Sequence, residues 1–248
     1  MENVYIGTMG WTYSPWIGNF YPENMGPSRF LEEYSRNFNT VEIDNTFYRI
    51  PNEKTVTRWK EETPTGFLFS AKFPKTVTHE KMLRNCEREV ERFLTNMSLL
   101  GDRLGPLLLQ LPPSFGREHL QDLRDLLAVL PKGFRFAVEV RNRTLLDEGL
   151  YSLLRDTNTS LAMVDGPFVP RIEIWTADFA YLRWEGDRRK VNGLIGRVEV
   201  DRTEKMGGWA EEIKVLMKEV SPVFGYFSKY YSGHPPTDVK HLVAMLED

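Results

Sequence analysis

Phe136-Ala-Val-Glu-Val-Arg141 places a large apolar side chain at every second position, with a small residue, a carboxylate and a guanidinium between them. Successive side chains of a strand point to opposite faces, so Phe136, Val138 and Val140 share one face and Ala137, Glu139 and Arg141 the other. Seven further β-rich runs flank this one: Val4–Thr8, Thr40–Thr46, Phe67–Phe73, Pro106–Leu111, Ser160–Asp165, Phe179–Glu185 and Pro222–Ser228. Helical patterns separate them. Val90, Phe93, Leu94 and Met97 form one apolar face, and Leu120, Leu123, Leu127 and Leu130 another. Trp209, Ile213, Leu216, Met217 and Val220 form a third, and Val239, Leu242, Val243 and Leu246 close the chain. Met97 and Trp209 are therefore core residues rather than ligand groups. Repeated β–α alternation requires parallel strands, whose neighbours are joined by crossovers. Eight such units in 248 residues predict a single α/β domain, residues 1–248, folded as a (β/α)8 TIM-type barrel rather than an open doubly wound sheet. The sixth unit is expected to lack a full helix, because Pro167 and Pro170 interrupt the thirteen residues between Asp165 and Phe179.

Composition narrows the function classes. Hydrophobic residues at 41% and charged residues at 27% are ordinary for a globular chain. A net charge of −3 argues against charge-driven coating of nucleic acid, which needs a basic face. Arg141 and Arg143 can still make a local basic pocket, whereas Arg188-Arg189-Lys190 reads as a solvated loop. A lone cysteine, Cys86, allows no intrachain disulfide and suits a reducing compartment. The start, MENVYIGTMGW, has no basic segment followed by an apolar one, and no apolar run is long enough to span a membrane. The expected location is cytoplasmic. Gly7-Thr-Met-Gly10 runs into Trp11 rather than a helix, which disfavours a dinucleotide fold. Four dispersed histidines and one cysteine cannot build a multi-zinc site, and no spacing marks a carboxylate-bound Mg²⁺. No metal ligands are assigned, and the cofactor is left open.

Alternation turns unexpected residues toward the barrel axis, where branched apolar side chains are the rule. Glu139 and Arg141 face inward on strand five, Glu42 and Asp44 on strand two, Ser70 and Lys72 on strand three, Asp165 on strand six, and Tyr181, Arg183 and Glu185 on strand seven. Gln110 joins them from strand four. An isolated charge there costs several kcal/mol, so these groups either pair in a closed ionic network or hold a ligand. Trp11, Tyr13, Trp16, Phe20 and Tyr21 crowd the first loop, Tyr48 follows strand two, and Tyr230 and Tyr231 follow strand eight. Such rings stack on a base or sugar, or pack together under a loop. His79 is the histidine nearest a strand end and a candidate acid/base group. Ser232-Gly-His-Pro-Pro-Thr237 precedes the last helix, the usual phosphate position in barrels.

Several of these segments together resemble the YecE-like family, catalogued as domain of unknown function 72. The matching pieces are Gly7-Thr-Met-Gly-Trp11 with Tyr13, Trp16, Gly18 and Phe20-Tyr-Pro22, then Phe38-Asn-Thr-Val-Glu42, Asn45-Thr-Phe-Tyr48 and Pro51. Lys72, Thr78-His79, Leu104-Gly-Pro106, Gln110-Leu-Pro-Pro-Ser-Phe115, Glu139-Val-Arg141, Asp165 and Tyr181-Leu-Arg183 complete them. The resemblance implies a TIM-type barrel, similar in fold to xylose-isomerase-like and apurinic-endonuclease barrels, and so suggests sugar phosphates or DNA as ligands. The chain lacks the histidine-rich metal set of those endonucleases. It also departs from the family in having Trp184-Glu185-Gly186 where His-Gly often follows the arginine, and Phe227-Ser228-Lys229 where Phe-Asn-Asn is common.

The leading expectation is a hydrolase- or isomerase-like enzyme acting on an anionic ring-bearing molecule such as a nucleotide or sugar phosphate. Glu42 and Asp165 are its acid/base candidates, assisted by His79 or Glu139. Lys72, Arg141 and Arg183 would hold the anion, with Lys229, Gln110, Trp11, Trp16 and Tyr48 as further binding residues. The rivals are a nucleic-acid-binding barrel without catalysis and a barrel whose charges are purely structural.

Overall fold

A computed structural model describes residues 3–247; residues 1, 2 and 248, which the expected domain includes, lie outside them. Within the described residues nine parallel strand segments form one sheet: β1 (Val4–Met9), β2 (Thr40–Ile43), β3 (Leu68–Lys72), β4 (Leu104–Gln110), β5 (Phe136–Glu139), β6 (Ser160–Leu161), β7 (Met163–Asp165), β8 (Ala180–Trp184) and β9 (Val223–Phe227). Their order is β6-β5-β4-β3-β2-β1-β9-β8-β7. The two outermost segments are consecutive in the chain, separated only by Ala162. They are halves of the expected sixth strand: β6 pairs with β5, β7 pairs with β8, and the barrel closes there. At the break, Leu161 N–H donates to Thr176 Oγ1 at 2.8 Å, and that hydroxyl donates to Thr159 O at 2.6 Å.

Among the described residues seven helices stand around the barrel: α1 (Phe30–Asn37), α2 (Glu53–Glu61), α3 (Glu87–Ser98), α4 (Leu120–Val129), α5 (Glu148–Asp156), α6 (Thr203–Leu216) and α7 (Pro235–Glu247). No helix lies between β7 and β8, as the two prolines predict. Strand two is shorter than its sequence suggests. The Thr46 hydroxyl donates to Ile43 O and Lys72 O, both at 2.8 Å, so residues 45–47 leave the sheet in a 3₁₀ turn.

The alternation divides the apolar residues into two clusters. Val41, Ile43, Phe69, Ala71, Leu107, Leu109, Phe136 and Val138 face the helices, together with the apolar faces of α3, α4 and α6. Met9, Leu108, Ala137, Ala162, Val164, Phe179, Tyr181, Phe224 and Tyr226 fill the barrel. Trp184 belongs to the outer layer, stacked on Phe227 at 4.2 Å and edge-on to Trp209 at 5.6 Å. A Cβ at Gly225 would meet the Trp184 ring at 2.6 Å, so the absence of a side chain there is what lets the indole lie against β9. Inside, the filling becomes polar toward the C-terminal ends of the strands. Tyr226 Oη contacts Ser70 Oγ at 2.7 Å and Thr40 Oγ1 at 2.9 Å, and the charged residues lie beyond.

Candidate functional site

Arg183 sits at the centre of the charged end of the barrel, 1% exposed. Its Nε donates to Glu42 Oε2 at 3.0 Å and its Nη2 to Glu42 Oε1 at 2.7 Å, a bidentate pair. Its Nη1 pairs with both Glu139 and Glu185, and Nη2 also reaches Met9 Sδ at 3.3 Å. Tyr181 Oη donates to Glu42 Oε2 at 2.6 Å. Glu139 Oε1 accepts from Gln110 Nε2 at 3.0 Å and Arg141 Nε at 2.6 Å. Burial works against the charge of Arg183, yet Glu42, Glu139 and Glu185 hold it firmly protonated. Burial also pushes the Glu42 carboxyl up to about 7 against the pull of Arg183. Glu139 is desolvated too, but Arg183, Arg141 and Gln110 bring its carboxyl down to about 2. These contacts leave Glu42 and Glu139 sealed, at 0% and 1% exposure.

Above this layer the strand ends and following loops enclose a cleft of about 500 Å³. Its lining includes Tyr13, Asp44, Phe47, Tyr48, Lys72, His79, Gln110, Arg141, Arg183, Glu185, Arg188, Lys229 and Tyr230. Strand C-termini carry the functional residues of such barrels, and this cleft lies at them. Lys72 Nζ donates to Gln110 Oε1 at 3.0 Å and lies 4.3 Å over the Phe47 ring. His79 packs edge-on to the same ring at 4.9 Å, in a π-helical turn, Thr76–Glu80, that follows β3. Its Nδ1 is hydrogen-bonded to Thr78 Oγ1 at 2.9 Å, and burial with nearby Lys72 and Arg141 lowers its pKa, so the ring is neutral at neutral pH.

The mouth is cationic and aromatic. Lys229 Nζ lies 5.3 Å over Tyr13 and 5.2 Å over Tyr230, and the Arg188 guanidinium lies 5.3 Å over Tyr230. Among the described residues neither cation has a carboxylate partner, whereas the neighbouring Arg189 is paired with Asp187. Gly186 makes this arrangement possible. It has φ +67°, and a Cβ there would meet Tyr230 O at 2.0 Å, so only glycine lets the loop after β8 cross the loop after β9. Arg141 is covered by Phe168, whose ring lies 4.5 Å from the guanidinium carbon.

Several expectations need correction. Asp165 points into the helical layer, accepting from Lys205 Nζ at 2.6 Å and Trp209 Nε1 at 3.3 Å. Leu161, Ala162, Met163 and Val164 are apolar on both faces, so strand six offered no alternation from which to read its side. Trp11 and Trp16 are buried packing residues: Trp11 is edge-on to Trp59 at 5.7 Å, and Trp16 meets Tyr13, Phe20, Tyr21 and His234. Tyr13 is the first-loop ring that reaches the cleft. The start of α7 is closed to an anion, since Ser232 Oγ donates to Asp238 Oδ2 at 2.6 Å and a Cβ at Gly233 would meet Arg197 O at 2.7 Å. Arg188 is exposed, as a solvated loop residue should be, and also lines the cleft. Of the four acid/base candidates, only His79 lines the cleft. Asn45, Phe47 and Arg188 come from irregular segments, where no periodicity points a side chain anywhere.

No helix of the described residues is long and apolar enough to cross a membrane. Among those residues, too, no three His, Cys, Asp or Glu side chains are grouped so as to hold a metal ion. The sequence profile of the family described as "Protein of unknown function DUF72" matches residues 5–248. The chain is 40% identical to the UPF0759 protein YecE of Escherichia coli K12 over 146 residues, which is 59% of this chain and about half (51%) of that relative's length. The structure is similar to a DUF72 family protein from Thermotoga maritima, with a TM-score of 0.84, 28% identity and 99% of each chain covered. A D-allulose 3-epimerase from Methylomonas shares the fold at a TM-score of 0.56 and 13% identity, over 100% of this chain and 98% of that one.

Proposed function

The chain belongs to the DUF72 family, and from that premise we propose that its cleft binds a small anionic, ring-bearing molecule and catalyses proton transfer on it, in the manner of an isomerase. The observation that carries this reading is the pair Lys229 and Arg188. Each lies over an aromatic ring at the cleft mouth with no carboxylate partner among the described residues. Cations left unneutralised beside tyrosine rings suit an anion attached to something flat. A cleft of about 500 Å³ has the volume of a small-molecule site. That favours a free sugar phosphate or nucleotide over a nucleic-acid strand using the same cations. Glu42 and Glu139 are sealed around Arg183, which removes the carboxylate pair that acid-assisted hydrolysis would use. His79 keeps a neutral imidazole in the cleft, able to accept a proton. Lys72, within reach of the same space, would stabilise the developing oxyanion.

A thermal-shift titration with inorganic phosphate, sugar phosphates and nucleoside monophosphates tests this. At least one phosphate compound should raise the melting temperature of the native protein, and Lys229→Ala should weaken its binding about tenfold, the loss of one charge-assisted contact. If no phosphate compound stabilises the native protein, or Lys229→Ala binds as well, the reading fails.

A further inference from the structure

The carboxylates around the cleft differ in how fully their oxygens are used. Glu185 Oε1 accepts from Arg183, from Arg141 at 3.1 Å and from Gln110 at 3.4 Å, and Glu42 and Glu139 are sealed. Asp44 is different. Its Oδ1 is buried yet has no hydrogen-bond partner among the described residues. It lies 3.9 Å from Lys72 Nζ and 3.9 Å from Arg183 Nη2, near enough for attraction and too far for a hydrogen bond. The backbone fixes Asp44 there, because its carbonyl accepts from Phe47 N at 3.1 Å to start the 3₁₀ turn. Lys72 is likewise only partly used: one of its three donors goes to the neutral Gln110 amide.

A buried carboxylate oxygen without a donor is uncommon because it forfeits its hydration with nothing in return. Here it belongs to a side chain that is 37% exposed and lines the cleft wall, beside an ammonium with donors to spare. We infer that Asp44 and Lys72 together read two neighbouring oxygens of the ligand, Asp44 accepting from a hydroxyl and Lys72 donating to the oxygen on the adjacent carbon. This rests on the anion-binding reading and adds the other end of the molecule. The ligand carries its anionic group at Lys229 and Arg188 and presents a vicinal diol or hydroxycarbonyl to Asp44 and Lys72. That chemistry belongs to phosphorylated sugars, with a polyhydroxylated ring rather than a nucleobase at the floor.

The test is calorimetric titration of native protein, Asp44→Ala and Asp44→Asn with inorganic phosphate, ribose phosphate, glucose phosphate, the deoxy analogue of each sugar phosphate, and the unphosphorylated sugars. Melting temperatures confirm that the variants fold; Asp44 is half-buried and in no close ion pair. At least one sugar phosphate should bind native protein more tightly than its deoxy analogue does. Asp44→Ala should weaken that sugar phosphate about tenfold or more while leaving inorganic phosphate unchanged. Equal binding of sugar and deoxysugar phosphates, or an Asp44→Ala loss as large for inorganic phosphate, overturns this inference and spares the anion site. Binding of unphosphorylated sugar with the same Asp44 dependence, and no phosphate binding, overturns the anion site and spares this inference. Binding of none of these compounds overturns both.

Discussion

Replacing Arg183 by methionine removes a guanidinium while keeping an unbranched side chain in the space between Glu42, Glu139 and Glu185. The native contacts at risk are the bidentate pair to Glu42 at 2.7 and 3.0 Å and the pairs to Glu139 and Glu185. Removing one partner of a buried ionic group costs about 3–5 kcal/mol, because the other partners stay buried and uncompensated. For a chain of this size that is a fall of about 6–20 °C in melting temperature. The loss also has a pH signature. In the native protein the Glu139 carboxyl lies at about 2 against an ordinary 4.5, so its stabilisation is complete above 4.5 and disappears as pH falls toward 2. Glu42 runs the other way: lifted to about 7, it contributes fully below 4.5 and loses that contribution as pH rises through 7. Without Arg183 both carboxyls move up, so the folded variant binds more protons than its unfolded chain and gains stability as pH falls. Melting temperatures of native protein and Arg183→Met, measured from about pH 8 to about pH 5, should therefore converge on acidification. Adding Glu42→Gln and Glu139→Gln to Arg183→Met should recover part of the loss at the alkaline end. A gap that is the same across that range, or smaller than about 1 kcal/mol throughout, would refute the assignment of Arg183 as the counter-ion on which the layer depends.

Trp16→Ala should cost about 3–5 kcal/mol in urea unfolding without changing ligand affinity, while Tyr48→Ala, at 75% exposure, should leave stability within about 0.5 kcal/mol and affect only binding. Asp165→Asn loses a half-exposed pair with Lys205, and should shift stability by less than about 1 kcal/mol with ligand-induced stabilisation intact; weakened binding would return Asp165 to the site. Gly7→Ala places a Cβ 2.2 Å from Thr40 O, backbone against backbone between β1 and β2, and should prevent folding or melt well below the native protein, as circular dichroism would show. Nuclear magnetic resonance of the imidazole protons should find His79 titrating below the ordinary 6.5; a midpoint above neutrality would leave the ring mostly charged at neutral pH and remove it as the proton acceptor.

What could be read from the residues was whatever strand periodicity carries. Val138 outward and Glu139 inward follow from a period of two, and so do Glu42, Lys72 and Arg183. That period could not show that Glu42 and Glu139 are sealed, since depth along the barrel axis is not part of an alternation pattern. Depth depends on the register between strands, such as Gln110 beside Glu139 and Glu42 beside Ser70, which only the paired sheet defines. Loop residues had no such guide. Tyr13 and Trp16 stand three positions apart in one aromatic run, and nothing local says that one ring meets the cleft while the other is buried under it. Nor does anything local place Trp184, because its reach across β9 depends on Gly225, forty-one residues on.

The break at Ala162 gives the barrel a buckle. A closed ring of hydrogen-bonded staves resists distortion because a shift in one ladder is handed to the next all the way round. Here the ladder from β5 ends on one half of a strand and the ladder from β8 begins on the other, with a threonine side chain from the helix-free crossover bridging the gap. Ala162 itself stays on the β5 side, its N–H donating to Val138 O at 2.9 Å, so the changeover from one ladder to the other falls just after it. The crossover outside that point has no helix to keep in register, so insertions can accumulate there while the opposite arc, which holds Glu42, Lys72 and Gln110, keeps its geometry.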